Sequence, residues 1–137
     1  MTEDIEEIRR QKIAELRNQT ETGDTAASTP TSPSEPIHVN GDAELSETVA
    51  EYDLVLADFY ADWCGPCQML EPIVETIAAE TAATVAKIDI DANQPLAAQY
   101  GVRGVPTLVL FADGQPAERL VGMQDEAELR SVIETHS

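Results

Sequence analysis

The sequence predicts an α/β domain: a central mixed β-sheet flanked by helices, with an N-terminal helical or disordered extension in front of it. Three observations carry this reading. Apolar, β-rich runs at Leu54–Tyr60 and 84–90 alternate with helical periodicities. The clearest helix has Leu70, Ile73, Val74, Ile77 and Ala78 at i, i+3, i+4, i+7 and i+8. Asp113-Gly114 stands between two strand-like runs, which is hairpin chemistry.

Taken in order, residues 2–18 predict a short amphipathic helix with Ile5, Ile8, Ile13 and Leu16 on one face. Its acids (Glu3, Asp4, Glu6, Glu7) come early and its bases (Arg9, Arg10, Lys12, Arg17) late, as the helix dipole favours. Disorder until bound, docking or self-association, and a mere solubility role are the open readings for it. Residues 18–36, dense in Thr, Ser, Pro, Glu and Ala, bury too little to order themselves and predict a flexible linker. The division expected is therefore an extension over 1–36 and a folded domain over 37–137.

Ile37-His38-Val39 is a short strand candidate, and Asp42 an N-cap candidate for a helix to about Tyr52. Leu54–Tyr60 predicts a buried strand, and the periodic run from Leu70 a long helix in which Pro72 introduces a kink. Thr84–Ile90 predicts a strand and Pro95–Tyr100 a short helix starting at its proline. The runs 107–111 and 117–121 predict the hairpin strands, and Asp125 with Glu128 a capping box for the last helix. The order is β-α-β-α-β-α-β-β-α, with no internal repeat. A chain of 137 residues suffices for one such domain and not for two.

Charge excludes several classes of function. The chain has 26 acidic and 8 basic residues, a formal net charge of -18. Residues 37–137 alone hold 18 acids against 4 bases (Lys87, Arg103, Arg119, Arg130), so no detachable tail explains the excess. Nucleic-acid binding needs Lys and Arg for phosphates, and anionic lipid would repel this surface. Self-repulsion of this density destabilises a compact state unless counterions screen it, which points to adaptation to high intracellular salt. An acidic face for one basic partner is the competing reading. No apolar run approaches the roughly 18 residues that span a bilayer, and the acidic start lacks the pattern of a secretory signal. A cytoplasmic location follows as the expectation. Two cysteines in that reducing compartment point to catalysis or metal rather than a structural staple.

Trp63-Cys64-Gly65-Pro66-Cys67 follows a predicted strand and opens a predicted helix. The spacing brings two sulfurs within bonding reach, and the N–H groups of a helix N-terminus favour a thiolate at Cys64. Gly65 keeps the turn open, and Pro66 supplies the preset φ of a first helical turn. A zinc site is the other reading of such a pair. Zinc takes about four ligands, and the two histidines, His38 and His136, lie at opposite ends of the domain sequence; both read as surface residues. No metal and no cofactor is expected. Asp58 lies inside an apolar run, where burial would raise its pKa and let it exchange a proton near neutrality. A solvent-facing strand acid is the alternative.

Asp58-Phe59-Tyr60-Ala61-Asp62-Trp63-Cys64-Gly65-Pro66-Cys67 resembles the active-site signature of the thioredoxin family. The resemblance extends through 89–91 and Tyr100-Gly101-Val102-Arg103-Gly104-Val105-Pro106-Thr107 to Val121-Gly122, nearly the whole folded part. It implies a thioredoxin fold and a protein-disulfide reductase in which Cys64 attacks a substrate disulfide and Cys67 resolves the mixed disulfide. It further implies that Asp58, with Lys87 nearby, helps deprotonate Cys67. The Val105-Pro106 bond would be cis and its loop would face the cysteines, whereas an ordinary turn proline is the plainer reading. Trp63, Gly65, Pro66, Gly104, Val105, Pro106, Gly122 and Met123 would then surround Cys64 as the substrate-docking surface, although Trp63 is open to reading as plain core. A thioredoxin reductase and disulfide-containing client proteins are the implied partners, and a monomer the implied state. Gln68 departs from the basic residue common after the second cysteine, and Tyr60 from a common Trp. A redox-sensitive binding module without turnover is the alternative function.

Overall fold

The computed structural model describes residues 32–137. The helix expected over 2–18 and most of the expected linker lie outside the described residues; residues 32–36 form neither helix nor strand. The elements are β1 (Ile37–His38), α1 (Gly41–Glu51), β2 (Leu54–Tyr60), α2 (Gly65–Glu80), β3 (Thr84–Asp89), α3 (Gln94–Gln99), β4 (Thr107–Ala112), β5 (Gln115–Val121) and α4 (Glu126–Thr135). The expected order of strands and helices from residue 37 is the observed one.

The five strands form one sheet in the order β1-β3-β2-β4-β5. β3 pairs parallel with β1 and with β2, whereas β4 runs antiparallel to β2 and to β5. The sheet is therefore mixed, with the hairpin at one edge. Successive residues of a strand face opposite sides, and β2 uses both. Leu54 and Leu56 join Leu70, Val74 and Ile77 of α2 and Leu129 and Ile133 of α4 in one core. Val55, Ala57 and Phe59 join Leu45 of α1 and Leu96 of α3 in the other. Covering both faces is what makes β2 a continuous apolar run rather than an alternating one.

Boundaries differ from expectation where a local feature overrides the pattern. α1 begins before Asp42: Asn40 is its N-cap residue, and the chain enters through Gly41 at φ +90. Asn93 Oδ1 accepts the Gly41 N–H at 2.8 Å, so the orphan donor is satisfied from the β3–α3 loop rather than by Asp42. β5 starts at Gln115, earlier than expected, because Asp113 (φ 53) and Gly114 (φ 84) make a two-residue turn on their own. Pro116 is tolerated there because β5 is an edge strand. Asp125 Oδ1 accepts from the Glu128 N–H at 2.8 Å, so the expected cap of α4 is formed. α2 runs uninterrupted through Pro72. Among the described residues no helix is long and apolar enough to cross a membrane.

Candidate active site

The site sits where β2 ends and α2 begins. Cys64 is the N-cap residue of α2, Pro66 lies in its first turn, and Cys67 is one turn in. The cysteines are joined as a disulfide across a Cα–Cα distance of 5.2 Å, within the range this linkage needs. Cys64 Sγ accepts the Cys67 backbone N–H at 3.1 Å, so the sulfur acts as the capping group of the helix. Cys64 N–H in turn donates to Ala61 O at 3.1 Å, which fixes the approach from β2. Both cysteines are nearly buried, and Val105, Ile90 and Tyr60 pack against them. Gly65 and Gly104 would each accommodate a Cβ without contact, so neither is required by crowding.

The loop expected opposite the cysteines is there. Val105-Pro106 is cis, Thr107 Oγ1 donates to Gly104 O at 2.7 Å, and Gly122 N–H donates to Pro106 O at 2.8 Å. Gly122 has φ +93, a conformation that costs a residue with a Cβ. Thus Gly104, Val105, Pro106 and Gly122 form one connected unit beside the disulfide. Trp63 is 69% exposed, which excludes a core role, and its Nε1–H donates to Asp91 Oδ2 at 2.9 Å. Met123 is exposed as expected; Met69 and Val121 are exposed apolar side chains that the sequence reading missed. Met69 was legible as the residue off the apolar stripe of α2. Asp91 carried no signal.

Behind Cys67 lies a second cluster. Asp58 pairs in register with Lys87 on the neighbouring parallel strand, and the pleat turns both toward α2, on the side of Leu56 and Val85. Asp58 is 2% exposed, so the solvent-facing reading is excluded, and its Oδ1 has no hydrogen-bond partner among the described residues. Burial pushes the Asp58 carboxyl up to about 7, with Lys87 pulling it down and Glu71 pushing it up. Lys87 is itself buried, and its ammonium bonds to Glu71 on α2 rather than to Asp58. The same Nζ lies 4.4 Å from the Tyr60 ring centroid, a cation–π contact. Glu71 was missed because it reads as one more solvated acid; its spacing of four from Cys67, one helical face, was the available signal. A cleft of about 470 Å³ opens here, lined among others by Cys67, Gln68, Glu71, Lys87, Tyr60 and His38.

Gln68 uses its side-chain amide to bond Asp62 O at 2.9 Å, bracing the loop before Cys64 instead of supplying a charge. His38 is an exposed residue at the cleft, whereas His136 is half-buried and bonds Glu118 at 2.9 Å, tying the end of α4 to β5. Among the described residues no group of three or more His, Cys, Asp or Glu is placed to hold a metal.

A disulfide capping a helix, faced by a cis-proline loop and backed by a buried carboxyl, defines a dithiol–disulfide exchange protein. Comparison with known proteins is specific. The family model "Thioredoxin" matches residues 36–135. A thioredoxin of Chlamydia trachomatis is 44% identical over 101 residues, 73% of this chain and 98% of that protein. One of Staphylococcus aureus is 43% identical over 97 residues, covering 69% and 92%. Among solved structures, a mutant thioredoxin from Halobacterium salinarum is 63% identical with TM-score 0.76, over 78% of this chain and 95% of that one. The chain belongs to the thioredoxin family. It is a thiol–disulfide oxidoreductase, and its enzymatic activity is reduction of protein disulfides.

Proposed function

We propose that this chain reduces disulfides of cytosolic proteins, with Cys64 as the attacking and Cys67 as the resolving residue. The observation that carries this assignment is the bond from the Cys67 N–H to Cys64 Sγ at the head of α2, which favours negative charge on Cys64. In the reduced protein the Cys64 thiolate attacks a client S–S bond. A Cys64–client disulfide forms, and the other client sulfur leaves as a thiolate that takes a proton from water. Cys67 then loses its proton to the Asp58 carboxylate and attacks Cys64 Sγ. The Cys64–Cys67 bond forms, the Cys64–client bond breaks, and the second client thiolate departs. That departing thiolate takes up the proton held by Asp58. Two electrons have thus passed to the client, its two protons have come from water and from Cys67 by way of Asp58, and the protein is left as the disulfide.

Asp58 suits the proton step because a base near neutral pKa works best at cytosolic pH. Lys87 sets the local charge. Trp63, Gly65, Pro66, Gly104, Val105, Pro106, Gly122 and Met123 make the docking face, where the backbone of the cis-proline loop takes an extended client segment. The working unit is a monomer over 37–137, residues 1–36 being an appended extension. A thioredoxin reductase restores the dithiol, and the acidic surface suits a salt-rich cytoplasm, a reading that the halophile relative supports. The test is reduction of a model protein disulfide by the pre-reduced full chain, at low and at molar salt, beside Asp58→Asn. Turnover that rises with salt and falls about tenfold or more in Asp58→Asn at neutral pH supports the assignment. Binding of the model protein without any reduction would replace it with a docking module.

A further inference from the structure

We propose that Glu71 is a positioning residue of the resolving step: its carboxylate holds the Lys87 ammonium away from Asp58, leaving Asp58 buried without a directly bonded counterion. The proposal rests on the proton role given to Asp58 above. It starts from a competition. A buried ammonium must find a hydrogen-bonding anion or lose stability. Register places Asp58 directly beside Lys87, so Asp58 is the nearest candidate on the sheet. The ammonium nevertheless bonds to Glu71, which reaches it from α2, and Asp58 Oδ1 is left unpartnered.

Lys87 and Glu71 are the charged groups that act on the Asp58 carboxyl. Lys87 faces it from β3, and Glu71 from α2, the helix that also carries Cys67. Its β4 neighbour is the apolar Leu108, and α4 brings the apolar Leu129 and Ile133 to the same side of the sheet. Tyr60, on Asp58's own strand, has its hydroxyl pushed up first by burial and then by acidic neighbours, so it stays neutral. His38 lies in register beside Lys87 on β1, and Glu75 joins Glu71 and Lys87 around the adjoining cleft. Among these, Glu71 is the anion bonded to the ammonium.

The chemical consequence follows from the strength of a paired carboxylate. An Asp bonded directly to a buried ammonium is held ionised and is a weak base. Diverting the ammonium to Glu71 leaves Asp58 as a base matched to neutral pH, while Lys87 stays close enough to moderate it. The Glu71 side chain is 45% exposed and belongs to neither apolar core, so its truncation opens no cavity there.

The test is titration of the Asp58 carboxyl by NMR in the oxidised full chain labelled with carboxyl-¹³C aspartate, the signal assigned by its loss in Asp58→Asn. Glu71→Ala is expected to lower the midpoint by about one pH unit or more, and Glu71→Asp to restore at least half of that change. In a Lys87→Met background, Glu71→Ala is expected to move it less than half as far. An unchanged midpoint in Glu71→Ala, or an equal shift with and without Lys87, would overturn the proposal. The reduction rate of Asp58→Asn reports separately on the proton role: a wild-type rate would remove that role, whereas the NMR shift alone decides what Glu71 does.

Discussion

The backbone N–H of Cys67 donates to Sγ of Cys64 over 3.1 Å, so the sulfur at the head of α2 occupies the place of an N-cap oxygen. The two cysteines are chemically identical and almost equally buried, yet only Cys64 sits at the positive end of the helix. That asymmetry is the ground on which we propose Cys64 for attack and Cys67 for resolution. In the reduced protein, iodoacetamide at neutral pH should modify Cys64 about tenfold or more faster than Cys67, read by peptide mass spectrometry. Equal rates would show that the helix end does not discriminate them.

Burial of Asp58 makes stability depend on pH in a defined direction. Its folded-state pKa of about 7 lies above the ordinary value of 3.8, so the native state holds a proton that the unfolded chain releases between those values. Stability contributed by this residue is therefore fully present below pH 4, falls as pH rises, and levels off above 7. The total loss is on the order of 4 kcal/mol, at up to about 1.4 kcal/mol per pH unit. Urea unfolding of the oxidised protein at fixed salt should show this decline in the wild type and not in Asp58→Asn. Parallel curves for the two proteins would mean that Asp58 is ionised in the fold.

Two glycines of the loops beside the disulfide should behave differently. Gly122 has φ +93, and a Cβ added there would meet open space, so Gly122→Ala should cost about 1–2 kcal/mol through backbone strain alone. Gly104 has neither a positive φ nor a crowded Cβ position, and Gly104→Ala should stay within about 0.5 kcal/mol of wild type. Thermal unfolding of both variants checks the contrast.

Salt should stabilise this domain. Residues 37–137 carry 18 acids and 4 bases, and molar salt shortens the screening length to about 3 Å from about 10 Å at 0.1 M. Raising KCl from 0.1 to 2 M should increase Tm by about 4 °C or more, equivalent to roughly 1 kcal/mol. A flat or falling Tm would show that the acidic surface serves something other than life in salt.

Most of the fold was legible because its main elements are locally consistent. The stripe Leu70, Ile73, Val74, Ile77 and the turn Asp113-Gly114 each specify one structure, and both form. The disulfide pair and the acid inside Leu54–Tyr60 stood out because their residue types conflict with a plain core. What sequence did not reveal depends on relationships across elements. The start of α1 is set by Asn93, more than fifty residues away, and the edge position of β5 is what admits Pro116. The resemblance implies Lys87 near Asp58, and register does place them together. The bond of Lys87 to Glu71 follows from how α2 lies over β3, which no periodicity encodes.

The assignment of the two cysteines is tested most directly by trapping the intermediate. Cys67→Ser and Cys64→Ser, each pre-reduced, are mixed with a model protein disulfide, and the adducts are resolved by non-reducing electrophoresis and mass spectrometry. Cys67→Ser should accumulate a stable mixed disulfide through Cys64, while Cys64→Ser, folded, should form none and reduce nothing. An adduct through Cys67, or turnover by Cys64→Ser, would contradict the assignment.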